Sequence, residues 1–263
     1  MLFQRIGHYC RYLFRYKYML FSEIKKNFIG RYRNSAIGYL WHIITPLFLI
    51  MVYIVVFGSI FGSKMDNYWL YVTTSIFSIS YFTTSITIAS TSITANGYLI
   101  SKIAFPREYL PISISLTNAV TLLISYILLI VLTVIAGIGL SNVLLFLIPF
   151  YCLYICFTTG VCLFLSAINV YYRDASNVVG LLTLCLFFIT PSFYTIEQVG
   201  EAARVIILWN PLTYFVESSH YIMYYNESPE LVSTIICIFL SVCSFVIGLI
   251  TFKKLEKKFV DLL

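Results

Sequence analysis

Charged side chains are scarce in this chain of 263 residues: Asp, Glu, Lys and Arg make up 11% of it, whereas 60% of its residues are hydrophobic. Soluble globular domains carry roughly 25% charged residues because their surfaces face water. The 64 residues between Glu108 and Arg173 contain none of these four residue types. No water-exposed surface can be built from such a stretch, so the composition excludes soluble enzymes and nucleic-acid-binding modules and indicates a membrane protein.

Motifs for catalysis and phosphate binding are also missing. The chain has no His-Glu-x-x-His, no Gly-x-Ser-x-Gly and no Gly-x-x-x-x-Gly-Lys-Ser/Thr loop, so it cannot bind and hydrolyse ATP by that last route. Its seven cysteines form no Cys-x-x-Cys and lie mostly within apolar runs, which favours packing over metal binding. We therefore predict a chain with no catalytic residue, no metal and no cofactor of its own, and with no nucleic-acid partner.

Charge-free windows predict six membrane-spanning helices, because a hydrocarbon layer about 30 Å thick needs roughly 20 apolar residues per helix. The third and fourth windows are separated by a cluster of helix-breaking residues, Gly137, Gly139, Ser141 and Asn142. The predicted spans are residues 37–61, 69–93, 111–136, 142–169, 175–194 and 231–252.

The distribution of Lys and Arg predicts the orientation. Six spans put both termini on one side, and if that side is cytoplasmic, 15 of the 17 Lys and Arg residues are cytoplasmic, leaving only Lys64 and Arg204 outside. This bias satisfies the positive-inside rule. We predict an all-α membrane protein with both termini in the cytoplasm: an interface segment at 1–36, a transmembrane domain at 37–252 and a basic tail at 253–263.

Three segments outside the spans have helical patterns of their own. From Phe3 to Arg15, apolar and basic residues fall on opposite faces, which predicts an amphipathic helix at the membrane interface. Four apolar residues between 99 and 104 have helical spacing and precede Pro106, which predicts a short cytoplasmic helix ended by that proline and used for docking. The apolar but interrupted stretch between Tyr194 and Glu230 predicts two interfacial or re-entrant helices on the outer side.

Polar residues near and within the spans have two interpretations each. The basic cluster that includes Arg31 and Arg33 either binds a diphosphate lipid headgroup or only sets the topology. The twelve hydroxyl residues of the second span serve helix packing or line a polar route. His42 in the first span is interpreted as a packing residue rather than a proton relay. No span contains Asp, Glu, Lys or Arg, which disfavours an ion-coupled carrier and requires energy from a partner.

Five motifs follow one another along the chain. They are Arg-Tyr-Arg-Asn-Ser-Ala-Ile-Gly-Tyr-Leu-Trp at 31–41, Leu-Ile-Ser-Lys-Ile-Ala-Phe-Pro-Arg-Glu-Tyr-Leu-Pro at 99–111, Asn-Val-Tyr-Tyr-Arg-Asp at 169–174, Thr-Pro-Ser-Phe-Tyr at 190–194 and Trp-Asn-Pro-Leu at 209–212. In this order they resemble the type-2 ABC exporter permeases that export bacterial polysaccharides. In many members a Gly stands at the place of Asn34 or Ser35, so this chain departs from the pattern there.

The resemblance implies a permease subunit for O-antigen, capsule or teichoic acid in the bacterial cytoplasmic (inner) membrane. Such permeases act as homodimers with two copies of a separate ATPase subunit, which binds ATP and Mg, and their cargo is an undecaprenyl-diphosphate-linked glycan.

The resemblance also implies roles for individual residues. The segment expected to contact the ATPase contains Leu99, Ile100, Lys102, Ile103, Phe105, Pro106 and Arg107. The aromatic side chains expected to line the channel between protomers and stack on sugars are Tyr39, Trp41, Tyr53, Phe187, Phe188, Phe193 and Tyr194; rings at these positions also suit a role as membrane-interface anchors. Arg173 and Asp174 are expected to form a structural ion pair or to face the ATPase.

Two rival functions remain open at the level of sequence. One is a permease of the same superfamily that exports drugs or small lipids. The other is a membrane-embedded enzyme acting on lipid diphosphates, which needs several His, Asp or Arg side chains converging at one interface; the sequence shows no such cluster beyond Arg173 and Asp174.

Overall fold

The computed structural model describes residues 16–30, 37–56, 66–103, 105–139 and 141–263, and these residues form an almost wholly helical bundle without β-strands. The α-helices in this part of the chain are α1 (Lys17–Gly30), α2 (Trp41–Tyr53), α3 (Tyr68–Ser90), α4 (Ser92–Ala95), α5 (Gly97–Lys102), α6 (Tyr109–Ile135), α7 (Leu147–Tyr171), α8 (Ala175–Ile189), α9 (Glu201–Trp209), α10 (Pro211–His220), α11 (Leu231–Leu255) and α12 (Phe259–Leu262).

Four helical stretches within the described residues are long and apolar enough to cross a membrane: Tyr68–Ser90, Tyr109–Ile135, Asn142–Tyr171 and Leu231–Leu262. They correspond to the second, third, fourth and sixth predicted spans. Two shorter apolar helical stretches are Trp41–Val56 and Ala175–Ile189. The first begins four residues after the predicted start of the first span, and residues 57–61 of that span lie outside the described residues, whereas the second is shorter than the fifth predicted span. The fold class is thus confirmed as helical and membrane-spanning, while six crossings stay a prediction.

The shortening of α8 has a local cause. The fifth span was expected to reach residue 194, but the helix ends at Ile189 and Thr190 is extended, with φ −77° and ψ 136°. A residue that precedes proline is driven out of the helical region by the proline ring, and Pro191 follows. The predicted end of this span was therefore wrong by five residues, and the segment 190–194 is not part of the helix.

The break expected between the third and fourth spans is present. Helix α6 ends at Ile135, and Gly137 adopts a left-handed conformation with φ +75°, which glycine tolerates without steric cost. The side chain of Ser141 then accepts a hydrogen bond from the backbone of Val143 at 3.4 Å and caps the next helical turn. A short uncharged hairpin results.

Helix α3 is the central element, and its buried hydroxyl groups bond within the bundle. Ser78 is the best-connected of them. Its hydroxyl donates to the carbonyl of Thr74 at 2.9 Å and lies 2.6 Å from the hydroxyl of Tyr126, while its own carbonyl accepts from Tyr154 at 2.7 Å. Buried hydroxyls without partners would be costly, so this network supports the packing interpretation of the second span.

Helices α7 and α11 touch backbone to backbone. A Cβ atom added to Gly248 would lie 2.1 Å from the carbonyl oxygen of Gly160, and one added to Gly160 would lie 2.4 Å from the backbone nitrogen of Phe245. The hydroxyls of Ser241 and Ser244 donate across the same seam to backbone carbonyls of α7, each at 2.8 Å. Small residues thus set the distance between these two helices.

The stretch after α8 forms two helices, of which the first is largely exposed and the second largely buried. Helix α9 is exposed except for Ile207, whereas α10 is buried along most of its length. Phe215 of α10 stacks on Tyr154 at 4.9 Å and on Phe157 at 4.7 Å, ring centroid to centroid. The two helices expected in this segment are present, and α10 belongs to the bundle core.

At the N-terminal side, the amphipathic helix expected from Phe3 to Arg15 lies outside the described residues. The structure instead shows α1, which the sequence analysis did not predict. Asn27 of α1 donates to the hydroxyl of Ser113 at 3.1 Å, and the ring of Phe28 stacks on His42 at 4.0 Å. The buried, stacked position of His42 supports its interpretation as a packing residue.

The contact between α7 and α11 makes a testable prediction. Gly248→Ala should lower the free energy of unfolding by about 1–3 kcal/mol, because the added methyl overlaps backbone that cannot rotate away. The measurement is thermal unfolding of the detergent-purified protein, followed by size-exclusion chromatography.

Gly180→Ala is the matched control, since a Cβ there meets no atom within 4 Å. Equal stability of the two variants would show that the helices can separate at no cost.

Candidate functional site

The docking segment expected around residue 99 is a short helix, α5, that follows Asn96 directly. The helix ends at Lys102, because Ile103 is already extended with φ −129° and ψ 131°. The expected end at Pro106 was therefore too late by four residues. Beyond the end of the helix, Phe105 and Pro106 are buried.

The seven residues expected to contact the ATPase point in different directions. Ile100 and Phe105 lie in a buried cluster with Phe252 and Phe259, and Leu99 packs on its edge. Lys102 and Ile103 are exposed. The hydrophobic half of α5 therefore holds the helix on the bundle, and the opposite half faces away from it.

Arg107 and Glu108 join this segment to the C-terminal end of α11. The guanidinium of Arg107 donates to the backbone carbonyl of Glu256 at 2.7 Å, and the carboxylate of Glu108, which is fully buried, lies 2.9 Å from the ammonium of Lys253. Lys253 also contacts the carboxylate of Glu256 at 3.1 Å. Removing one partner of a buried ion pair typically costs about 3–5 kcal/mol, because the other charge is left in a medium of low polarity.

Glu256 lies past the end of α11. Its side chain is partly buried and lies beside the ammonium of Lys253. The sequence analysis did not select Glu108, Lys253 or Glu256 as site residues. A carboxylate at the very start of a long charge-free run was the available signal, because such a group requires a cationic partner.

Arg173 and Asp174 occupy the turn between α7 and α8. Both side chains are exposed, and no ion pair joins the two in the part of the chain that the structure describes. The turn is held by other groups: the side chain of Asn169 accepts from the backbone of Ser176 at 3.1 Å, and the hydroxyl of Ser176 donates to the carbonyl of Arg173 at 3.0 Å. Within the described residues, an ion pair with a fully buried carboxylate does occur at this end of the bundle, between Glu108 and Lys253.

The structure brings three of the expected channel aromatics together. Tyr53, Phe187 and Phe193 pack on a buried cluster at the start of α3, and the rings of Phe187 and Phe193 meet edge to face at 5.7 Å. The hydroxyl of Tyr194 donates to the carbonyl of Phe188 at 3.0 Å. This hydrogen bond holds the segment that follows α8 against the end of that helix. Much of the aromatic set is therefore engaged in packing.

Two other expected aromatics are more accessible. Phe188 is 71% exposed on α8. Trp41 is half-buried beside a cavity of about 170 Å³ that lies between α2, α3 and α6, with Asn118 and Thr121 in its wall. The side chain of Tyr39 and the whole of Arg31 and Arg33 lie outside the described residues. Among the residues that are described, no three His, Cys, Asp or Glu side chains converge on a metal-binding position.

Comparison with known proteins agrees with the helical architecture and the motif order. Residues 19–224 match the family described as ABC-2 type transporter. The O-antigen export system permease protein RfbA of Klebsiella pneumoniae is 29% identical over 234 residues, which cover 89% of this chain and 90% of that protein. The protein of the same name from Myxococcus xanthus is 29% identical over 223 residues, or 84% of this chain and 85% of that protein.

The family match covers most of the chain, and the relatives align over nearly their full lengths, so the resemblance inferred from the five motifs is confirmed. Members of this family are the membrane-embedded transport subunits of their systems, and the family implies an ATP-binding partner subunit. This chain belongs to the ABC-2 type transporter family.

Proposed function

We propose that this chain is the permease subunit of an ATP-driven exporter that moves an undecaprenyl-diphosphate-linked polysaccharide, such as O-antigen, capsule or teichoic acid, across the bacterial cytoplasmic membrane. The observation that carries the proposal is the near-complete alignment with permeases named for O-antigen export, combined with the short helix α5 at the position of the predicted docking segment. The names of these relatives favour a glycan over a drug or a small lipid as cargo. The enzyme rival is not supported by any convergent His, Asp and Arg cluster within the described residues.

The proposed topology places both termini and α5 in the cytoplasm. At one end of the bundle, Arg107 and Glu108, which follow α5, and Tyr171 at the end of α7 contact the stretch 253–256, and this part of the chain contains Lys and Arg residues assigned to the inner side. At the other end, the hydroxyl of Tyr224 donates to the carbonyl of Asp66 at 2.7 Å, and Asn226 donates to the carbonyl of Gly139 at 2.9 Å. This segregation supports alternate crossing of the membrane.

The proposed assembly is a homodimer with two ATPase subunits. Exposed apolar residues run along both shorter helices, including Phe48 and Met51 of α2 and Leu181, Leu184 and Phe188 of α8. In a homodimer, these two helices would face the partner protomer and enclose the glycan path. The exposed half of α5, with Lys102, and the residue that follows the helix, Ile103, would receive the ATPase.

Deletion of the gene should leave the lipid-linked glycan in the cytoplasmic leaflet, because the polymer has no other route outward. Extraction of undecaprenyl-linked glycan from the deletion strain, with surface glycan measured in parallel, tests this. Normal surface glycan in a strain without a redundant permease would refute glycan export and favour the drug-exporter alternative.

Lys102→Glu should weaken binding of the ATPase subunit about tenfold or more, because the substitution places a negative charge at the proposed contact. Retention of the co-expressed ATPase subunit on the tagged, purified permease measures the effect. Arg204→Glu is the matched control, since Arg204 is an exposed cation on α9 at the opposite end of the bundle. If both variants retained the ATPase subunit equally, α5 would not be its docking site.

Phe188→Ala should lower the export rate roughly 2- to 10-fold, since an aromatic contact contributes about 0.5–1.5 kcal/mol beyond its buried area. The measurement is the rate at which labelled glycan reaches the cell surface at matched permease levels. Phe239→Ala on α11 is the control, because Phe239 is similarly exposed, at 65%, on a helix outside the proposed path. An equal effect of the two variants would assign Phe188 to the lipid-facing surface.

A further inference from the structure

The C-terminal residues of this chain fold back onto α5. Phe259, the first residue of α12, is fully buried, and its ring meets that of Phe252 edge to face at 5.4 Å. A Cβ atom built on Gly97 at the start of α5 lies 3.5 Å from the Cβ of Leu263, which is an ordinary contact distance. Helix α5 therefore has the chain's own C-terminal segment as its neighbour.

Polar contacts also hold the second end of the docking segment, residues 105–108, on the C-terminal segment. The Glu108–Lys253 ion pair and the hydrogen bond from Arg107 to the carbonyl of Glu256 both join residues 105–108 to the stretch 253–256. Apolar contacts at Gly97, Ile100 and Phe105 lie between them. With contacts at both of its ends and along its inner side, the segment 97–108 is held on the C-terminal segment 252–263 as a single block.

We infer that the C-terminal segment is part of the docking surface for the ATP-binding partner subunit, and that α5 and α12 present this surface together. Arg107, with its guanidinium bound to Glu256, positions α5 and does not reach the partner. The partner contacts come from both sequences: Tyr98 and Ile103 from the docking segment, and Val260 and Leu262 from the tail, all of which are exposed.

The charge of this surface specifies the chemistry of its partner. Besides the apolar side chains, this surface carries four exposed lysines and one exposed acidic side chain, that of Asp261. These lysines are Lys102, Lys254, Lys257 and Lys258. The four lysines and Asp261 sum to +3, so the complementary surface is an apolar depression rimmed by Asp and Glu.

The length of α11 favours a protein over the membrane as the occupant. Helix α11 has 25 residues, which at about 1.5 Å per residue extend roughly 37 Å, more than the hydrocarbon thickness of about 30 Å. With Leu231 at the outer edge of the hydrocarbon, as the proposed topology has it, the tail that follows stands beyond the hydrocarbon on the side of α5. The inference rests on the proposed function only in the identity of the partner, the ATP-binding subunit of the exporter.

The test is a double variant in the tail. V260D/L262D should retain at least tenfold less of the co-expressed ATP-binding subunit on the purified, N-terminally tagged permease, because two carboxylates would meet an acidic rim. L231D/V232D is the matched control: it makes the same changes at two exposed residues at the other end of α11. Thermal unfolding of both variants separates loss of docking from loss of folding.

Full retention of the ATP-binding subunit by a folded V260D/L262D would overturn the inference and leave the lipid headgroups as the occupant of this surface. Binding is measured without glycan, so the result is independent of the cargo. If the wild type binds the subunit through the tail but the deletion strain displays normal glycan, the proposed function fails and the docking surface stands.

A cross-link tests whether α5 and the tail act as one block. G97C/L263C, in a background with the seven native cysteines replaced, should form a disulfide on oxidation, because Cβ atoms about 3.5–4.5 Å apart suit this bond. The oxidised protein should bind the ATP-binding subunit as well as the reduced one. Loss of binding on oxidation, restored by a reductant, would show that the two parts must separate and would overturn the single-block arrangement.

Discussion

The backbone contact between Gly160 and Gly248 sets the position of α11, and the arrangement of the docking segment follows from it. With the two helices in van der Waals contact at that point, the C-terminal end of α11 lies beside the start of α6. Lys253 can then reach Glu108, and Phe252 can enter the cluster that holds Ile100 and Phe105. A larger residue at either glycine would move the end of α11 away from the segment that it supports.

Polar groups rather than charges give the membrane part of the bundle its specificity. The helix surfaces are apolar, and lipid is as apolar as a leucine side chain, so burial of hydrocarbon alone would not select one neighbour over another. Hydroxyl groups do so because each must find a partner within the protein. Ser78, Tyr126 and Tyr154 satisfy one another across three helices, and Ser115 bridges α6 to both Tyr81 and Thr159.

The long-range parts of this structure were beyond the reach of sequence reasoning. Charge-free runs and the glycine cluster at 137–142 predicted the long helices and the hairpin, because hydrocarbon thickness and backbone conformation are local constraints. The contact from Arg107 to Glu256 joins positions 149 residues apart, and nothing in either local sequence specifies it. The spacing of apolar residues therefore predicted a short helix in this segment, but neither it nor the motif indicated which of the residues face the bundle.

The distinction between the two faces of the docking segment changes how the motif at 99–111 is understood. A motif residue can be required either because it contacts the partner or because it holds the contacting helix in place. Ile100, Phe105, Arg107 and Glu108 are of the second kind here, since their side chains are buried or bound to α11. If the partner acts on α5 as proposed, a push on its exposed face would be carried through these residues into the first turn of α6 and the last turn of α11. Because α11 is in backbone contact with α7, the movement would involve three membrane-crossing helices together, and this is the property required of a segment that converts movement of a partner into movement of the bundle.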